Sequence, residues 1–271
     1  MNIISMAQLP NDFSYQDYLI LNPDLNRYAN REELKYHYLN YGYREKRKYK
    51  YSSEEDKPKI NILVVVLSCV KNKHLWDDIK KRTNNKLIII TGSDKNENFY
   101  DEKYKILYLK CNDLYDGLPE KIICMIDNVL KNEEFKDITH IIKIDDHDTF
   151  FTNKNIHNLY KCKKLLLFDY LGQKINTCNK ENKGKYHFGK VPENSYWYNR
   201  EASVPNIQYL DGGCIYILSR RAMEIINKKY NPSNIDTIRV NEIYEDVMIA
   251  KILNEHGIQP YQMNLGMIGD K

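Results

Sequence analysis

The chain has 271 residues, enough for one large domain or one with a small appendage, and its 41 basic and 37 acidic residues nearly cancel. That balance excludes a polybasic nucleic-acid footprint, since the one basic run, residues 43–50, reads as a solvated linker. Six scattered cysteines without a CxxC exclude a zinc-finger spacing and point to a reducing compartment. The longest apolar segment, residues 60–70, is about half of the roughly twenty residues a membrane span needs. No basic region precedes an apolar stretch at the N-terminus, so the chain reads as soluble and without a signal peptide.

Residues 1–55 read as a small helical module and its linker. Tyr18, Leu19 and Ile20 run into the turn signal Asn22-Pro23-Asp24, and residues 33–39 carry apolar side chains at helical spacing up to Gly42. Such a piece buries little core alone, so it leans on the main body or on a partner protein. The polar stretch 52–59, with Pro58, marks a boundary, and residues 56–271 form the main domain.

From Ile60 the pattern alternates. It predicts strands over 62–67, 86–91, 105–109, 140–145 and 165–168, with helices over 76–82, 119–130 and 155–160. The helix over 119–130 is amphipathic, with Ile122, Ile123, Ile126, Val129 and Leu130 on one side. This is the pattern of an α/β domain with a mostly parallel sheet, in which ligands collect at the carboxyl ends of strands. No GxGxxG or GxxxxGK sequence is present to cradle a dinucleotide or a P-loop phosphate.

The strand over 140–145 ends in Asp145-Asp146-His147-Asp148. Crowded carboxylates are costly unless a cation neutralises them, and a hard divalent metal with oxygen ligands does so economically. In an extended segment Asp146 and Asp148 share a face and could grip one ion; the plainer reading is an acidic turn. Residues 171–206 follow as a long polar stretch whose aromatic residues argue against plain disorder. Trp197 and Tyr198 in it could stack on a sugar or simply anchor the loop. Gly212 and Gly213 then make a bend into a strand, Ser219 opens a helix, and a last helix over 244–253 carries Glu245 and Asp246 in its first turn. Acids there are ordinary helix caps when read alone. The histidines other than His147 show no pair at metal spacing.

The order of these pieces resembles the β-1,3-galactosyltransferase and fringe family of glycosyltransferases, which have the GT-A fold. Lys143-Ile144-Asp145-Asp146-His147-Asp148 is similar to that family's Lys-Val-Asp-Asp-Asp, and residues 212–219 to its Gly-Gly-x-Gly-Tyr-Val-Leu-Ser. Glu245-Asp246-Val247 matches Glu-Asp-Val, Gly257-Ile258-Gln259-Pro260 matches Gly-Ile-x-Pro, and residues 113–121 are similar to Asp-x-Tyr-x-Asn-Leu-Thr-x-Lys. The chain departs at His147, where the family has an aspartate, and it shows no membrane anchor of the kind animal members carry. Its first fifty residues look like a module that precedes glycosyltransferase domains in some bacterial and giant-virus proteins, which implies the cytoplasm, including that of an infected cell.

The resemblance implies an inverting transfer of a hexose or N-acetylhexosamine from a UDP-sugar to a glycan or glycoprotein hydroxyl, β-1,3 in linkage. It implies Mn²⁺ or Mg²⁺ held by Asp146 and Asp148, or by Asp145 and His147, and the two carboxylates suit these ions better. Asp246 is the implied base, with Glu245 second. Asp145, Ser68, Asp113, Lys121, Gly212 and Gly213 are the implied donor-binding residues, and Trp197, Tyr198 and Asp211 the acceptor-binding ones. The rival readings are a sugar-binding protein of the same fold without turnover and a metal-dependent phosphoesterase.

Overall fold

The computed structural model describes residues 8–25, 30–94, 97–148 and 152–264. The chain divides into two compact units, Met1–Lys59 and Ile60–Lys271. Among the described residues no helix is long and apolar enough to cross a membrane.

In the first unit, helices α1 (Tyr15–Leu21) and α2 (Arg31–His37) start where Ser14 and Asn30 cap free backbone N–H groups. A wider turn, Tyr38–Gly42, continues α2. Tyr18, Leu25, Leu34 and Tyr38 are its buried core, with the Phe13 ring 5.2 Å from Tyr18 and 4.7 Å from Tyr38. The Tyr18 hydroxyl is thereby fixed, 2.9 Å from His37 Nδ1. A Cβ at Gly42 would lie 2.1 Å from that hydroxyl oxygen, which explains the glycine.

The second unit is built on an eight-stranded sheet. In chain order its elements are β1 (Ile62–Leu67), α3 (Trp76–Lys81), β2 (Leu87–Gly92), β3 (Phe99–Asp101), β4 (Ile106–Leu109), α4 (Leu118–Lys131), β5 (His140–Asp145) and α5 (Asn153–Tyr160). There follow β6 (Tyr170–Gly172), β7 (Ile175–Cys178), α6 (Lys180–Lys183), β8 (Ile207–Leu210), β9 (Tyr216–Ser219), α7 (Arg220–Lys229), α8 (Ile235–Asn241), α9 (Glu245–Glu255) and β10 (Tyr261–Gln262). The strand order is β10-β6-β9-β5-β1-β2-β4-β3, with β5, β1, β2 and β4 parallel and β9 antiparallel between β5 and β6. Strands β7 and β8 pair separately. This is the mostly parallel α/β sheet flanked by helices that the sequence pattern predicts.

Every residue of β1 and β2 is buried, as continuous apolar strands covered on both faces must be. Alternation sends Leu63, Val65 and Leu67 to the face covered by α4, α7 and α9, and Ile62, Val64 and Val66 to the face covered by α3 and α5. Ile141 of β5 lies on the first of these faces, so by the same alternation Lys143 and Asp145 also point toward α9. Leu67 is in register with Asp145, so β1 and β5 end level. Because β9 runs the other way, the turn that feeds it arrives at that same end, and Tyr216 pairs with Lys143.

One predicted strand is absent. Residues 163–166 form a tight helical turn that buries Leu165, and the next strand, β6, begins only at Tyr170. A four-residue apolar run has too little period to separate the two. The stretch 171–206 also holds more order than expected, since it includes β7 and α6.

Gly42→Ala is expected to destabilise the first unit by about 1–3 kcal/mol through overpacking. Tyr18→Phe, which removes the obstructing oxygen, should restore part of that loss. Thermal unfolding of both single variants and the double variant checks this, and simple additivity would refute the contact.

Candidate active site

The level ends of β1 and β5, the Gly212-Gly213 turn and the N-terminus of α9 enclose a cleft of about 430 Å³. Ser68, Asp113, Lys121, Asp145, Asp146, Asp211, Gly212, Gly213, Glu245 and Asp246 all line it. Ten positions singled out from the sequence thus come together in space. Asp148, Trp197 and Tyr198 do not line it.

Asp146 Oδ2 accepts from the Ser68 hydroxyl and from the Asn72 side-chain amide, each at 2.7 Å. The Trp76 indole N–H donates to the same Ser68 hydroxyl at 2.8 Å, which fixes its direction. The other carboxylate oxygen lies 3.7 Å from Nδ1 of His147, whose exposed ring lines the cleft. Asp148 is placed differently. Its N–H donates to the Asp145 carbonyl at 3.0 Å, so residues 145–148 form a tight turn rather than an extended segment. The shared-face argument for Asp146 and Asp148 needs an extended chain, and the turn removes it.

Asp113 is occupied by its own scaffold. Its carboxylate accepts from the Val70 N–H at 2.7 Å, the Gly92 N–H at 2.6 Å and Lys121 Nζ at 2.7 Å. Lys121, buried, also donates to the Ser68 carbonyl at 2.8 Å. The two residues therefore tie the ends of β1 and β2 to α4 rather than offering free polar atoms to a donor. Sequence spacing cannot distinguish these roles.

Lys143 is fully buried and donates to Asp145 Oδ1 at 2.6 Å and to the Gly212 carbonyl. Its ammonium is 3.5 Å from Glu245 Oε1. Burial alone would lower the Lys143 pKa, but Glu245 and Asp145 outweigh it and raise it. Burial pushes Glu245 up to about 7, against the lowering effect of Lys143 and with Asp246 adding to the rise. A Cβ at Gly212 would lie 2.7 Å from both Glu245 oxygens, so the glycine is needed to seat that carboxylate. A Cβ at Gly213 would meet only the Asp211 carboxylate, at an ordinary contact distance of 3.5 Å.

The acids at the start of α9 do cap. Glu245 Oε2 accepts the Asp246 N–H at 2.5 Å and Asp246 Oδ1 the Val247 N–H at 2.8 Å. Each helix cap consumes one oxygen. Asp246 Oδ2 is turned the other way, accepting the Gly212 N–H at 3.1 Å with Lys183 Nζ at 3.5 Å. Asp211 accepts from Lys174, Asn176 and the Gly213 N–H. Burial would raise its carboxyl, but those hydrogen bonds hold it below its ordinary value.

Trp197 is buried in the core, and its indole N–H donates to the Arg239 carbonyl at 2.8 Å. It has no exposed face for a sugar, so it anchors the loop. Tyr198 is exposed outside the cleft. Sequence reasoning missed Asn72, Lys183, Tyr186, Lys190 and Tyr244, which also line it. For the lysines and Tyr186, the signal was only that a long polar stretch was rich in Lys and Tyr.

Six carboxylates line the cleft against four lysines, Lys121, Lys143, Lys183 and Lys190. Five of the six have a lysine within ion-pair distance; among the described residues Asp146 has none. Among the described residues no cluster of three or more His, Cys, Asp or Glu side chains could hold a metal alone. Mg²⁺ commonly binds through one or two carboxylates plus substrate phosphates, and the Asp146 carboxylate is a group of that kind.

A family model described as galactosyltransferase matches residues 84–264. No curated protein matches the chain. Among solved structures, a cytidylyltransferase from Leptospira borgpetersenii serovar Hardjo-bovis is 13% identical over 76% of this chain and 77% of that one, with a TM-score of 0.35. The 2-C-methyl-D-erythritol 4-phosphate cytidylyltransferase of Francisella tularensis is 15% identical over 75% and 89%, with a TM-score of 0.38.

A raised Glu245 pKa means the folded state binds that proton more tightly than the unfolded state does. Its stability contribution is full below the unfolded value of 4.5 and is lost as pH rises through about 7. Glu245→Gln should therefore gain thermal stability relative to wild type between pH 5 and about 8. Melting curves across that range check the sign, and a parallel pair of curves would contradict it.

Proposed function

The chain belongs to the galactosyltransferase family of glycosyltransferases, and from that premise we propose that it moves a sugar from a UDP-sugar to a glycan hydroxyl with inversion, using a divalent metal. The observation that carries the reading is the excess of carboxylates around one aspartate that no lysine neutralises. A diphosphate brought into that cleft would be repelled unless a cation came with it. Asp146, with His147 beside it, would hold the ion; when bound, the ion supplies charge for the departing diphosphate. Ser68, Asn72 and Trp76 keep Asp146 in one orientation, which is the preorganisation such stabilisation needs.

The acceptor hydroxyl oxygen forms the new bond to the anomeric carbon as the bond to the UDP oxygen breaks, and the hydroxyl proton passes to a base. Asp246 Oδ2 is the candidate, since its other oxygen is already spent on the helix. Glu245, with its raised pKa and its place between Lys143 and Gly212, is less suited to collect a proton from solvent-borne substrate. Gly213 lines the cleft without a side chain, which leaves its backbone open to the sugar or diphosphate. Asp145, tied to Lys143, and Asp211, tied to Lys174, would offer their remaining atoms to donor and acceptor hydroxyls respectively. A β-1,3 linkage is part of the same proposal and rests on the resemblance of motifs.

A panel of UDP-sugars incubated with Mn²⁺ is expected to give UDP release from at least one donor, and release should stop on chelation. Asp146→Ala should abolish that release, whereas Asp148→Ala should alter it little. Asp246→Asn preserves a cap but not a base, so transfer should fall by roughly a hundredfold with donor binding nearly unchanged. No UDP release from any donor, or normal transfer by Asp246→Asn, would sink the respective assignment.

A further inference from the structure

The stretch 171–206 reaches the cleft through Lys183, Tyr186 and Lys190, and its anchoring explains why. Tyr244, the residue before Glu245, donates its phenol to the Lys183 carbonyl at 2.5 Å and has His187 Nδ1 2.7 Å away. The other nitrogen of buried His187 lies 2.8 Å from the Arg200 carbonyl and 3.2 Å from that of Trp197. The loop is thus clamped to the start of α9. From that clamp Lys183 extends its ammonium to 3.5 Å from Asp246 Oδ2. It lies 4.6 Å, 5.0 Å and 4.8 Å from the ring centroids of Tyr186, Tyr209 and Tyr244. Three ring faces stabilise a cation while excluding much of its water.

We propose that Lys183 is a positioning residue, whose caged ammonium holds the Asp246 carboxylate aimed into the cleft. This rests on Asp246 being the base. Among the described residues Lys183 is the one cation within ion-pair distance of Asp246, because Lys143 is spent on Asp145 and Glu245. The remaining neighbours do not supply positive charge. Burial raises the phenols of Tyr115, Tyr170, Tyr209, Tyr216 and Tyr244 and the thiol of Cys178, so they stay neutral, and Glu245 adds repulsion when ionised. Burial would lower Lys183 itself, but Asp246, Tyr209 and Glu245 together outweigh it and the amine is raised, so it stays charged.

The test compares wild type with Lys183→Met, Lys183→Gln and Lys183→Arg. Carbon-13 NMR of aspartate-labelled protein reads the Asp246 carboxyl, identified by its loss in Asp246→Asn. In the Met and Gln variants that carboxyl signal should move, and turnover should fall by roughly tenfold as the carboxylate loses its aim. Arginine should restore both, and donor KM should change by less than about twofold in every variant, because the diphosphate is met elsewhere. The NMR signal needs no donor, so it stands apart from any failure to find one. An unmoved signal in either neutral variant overturns the proposal, as does a loss of turnover with no rescue by arginine.

Discussion

Lys143 brings its ammonium to full burial on β5, where it meets Asp145, the Gly212 carbonyl and Glu245. A charge so placed is tolerable only if each of those partners stays, and removing one leaves the others uncompensated. The three partners belong to the strand end, the glycine turn and the last helix. One buried cation therefore fixes the relative position of the three pieces that bound the cleft. Its direction follows from strand alternation, since Lys143 lies two residues beyond Ile141, which packs under α9. Gly212 follows from it in turn, because only a residue without Cβ can pass so close to Glu245.

The two acids that open α9 are set apart by the lysines they face. Glu245 faces Lys143 from inside the core, and Asp246 faces Lys183 from the cleft side. Both give one oxygen to the first helical turn, so the cap and the site are the same residues rather than alternatives. The helix closes at Gly257, whose φ of +73° favours glycine, with the Ile258 N–H returning to the Leu253 carbonyl. That accounts for the Gly-Ile pair at the end of the motif without invoking substrate.

Much of this was legible in the residues. Continuous apolar runs gave β1 and β2, a 3.6-residue period gave α4, and the order of acidic end, paired glycines and Glu-Asp-Val brought the right pieces to one cleft. What was not legible is which polar atoms are consumed internally. Asp113 and Lys121 satisfy each other across β2 and α4, and spacing along a chain carries no sign of such pairing. Trp197 reads the same whether it faces a sugar or the core, because only burial tells these apart. The shared face expected of Asp146 and Asp148 failed for a local reason: a turn follows the strand at Asp145, and a period-two argument does not survive it.

Asp146 differs from every other carboxylate in the cleft in the kind of donor it meets. Asp113, Asp145, Asp211, Glu245 and Asp246 each face a lysine, which cancels their charge at short range. Asp146 is held instead by a hydroxyl and an amide, which orient it without neutralising it. Neutral donors fix a carboxylate and leave its field directed outward, whereas an ammonium would quench that field. The cleft thus has one place where an incoming cation gains full electrostatic attraction without displacing a lysine. That difference is the reason the metal is proposed at Asp146, with the paired acids proposed for orientation and proton transfer.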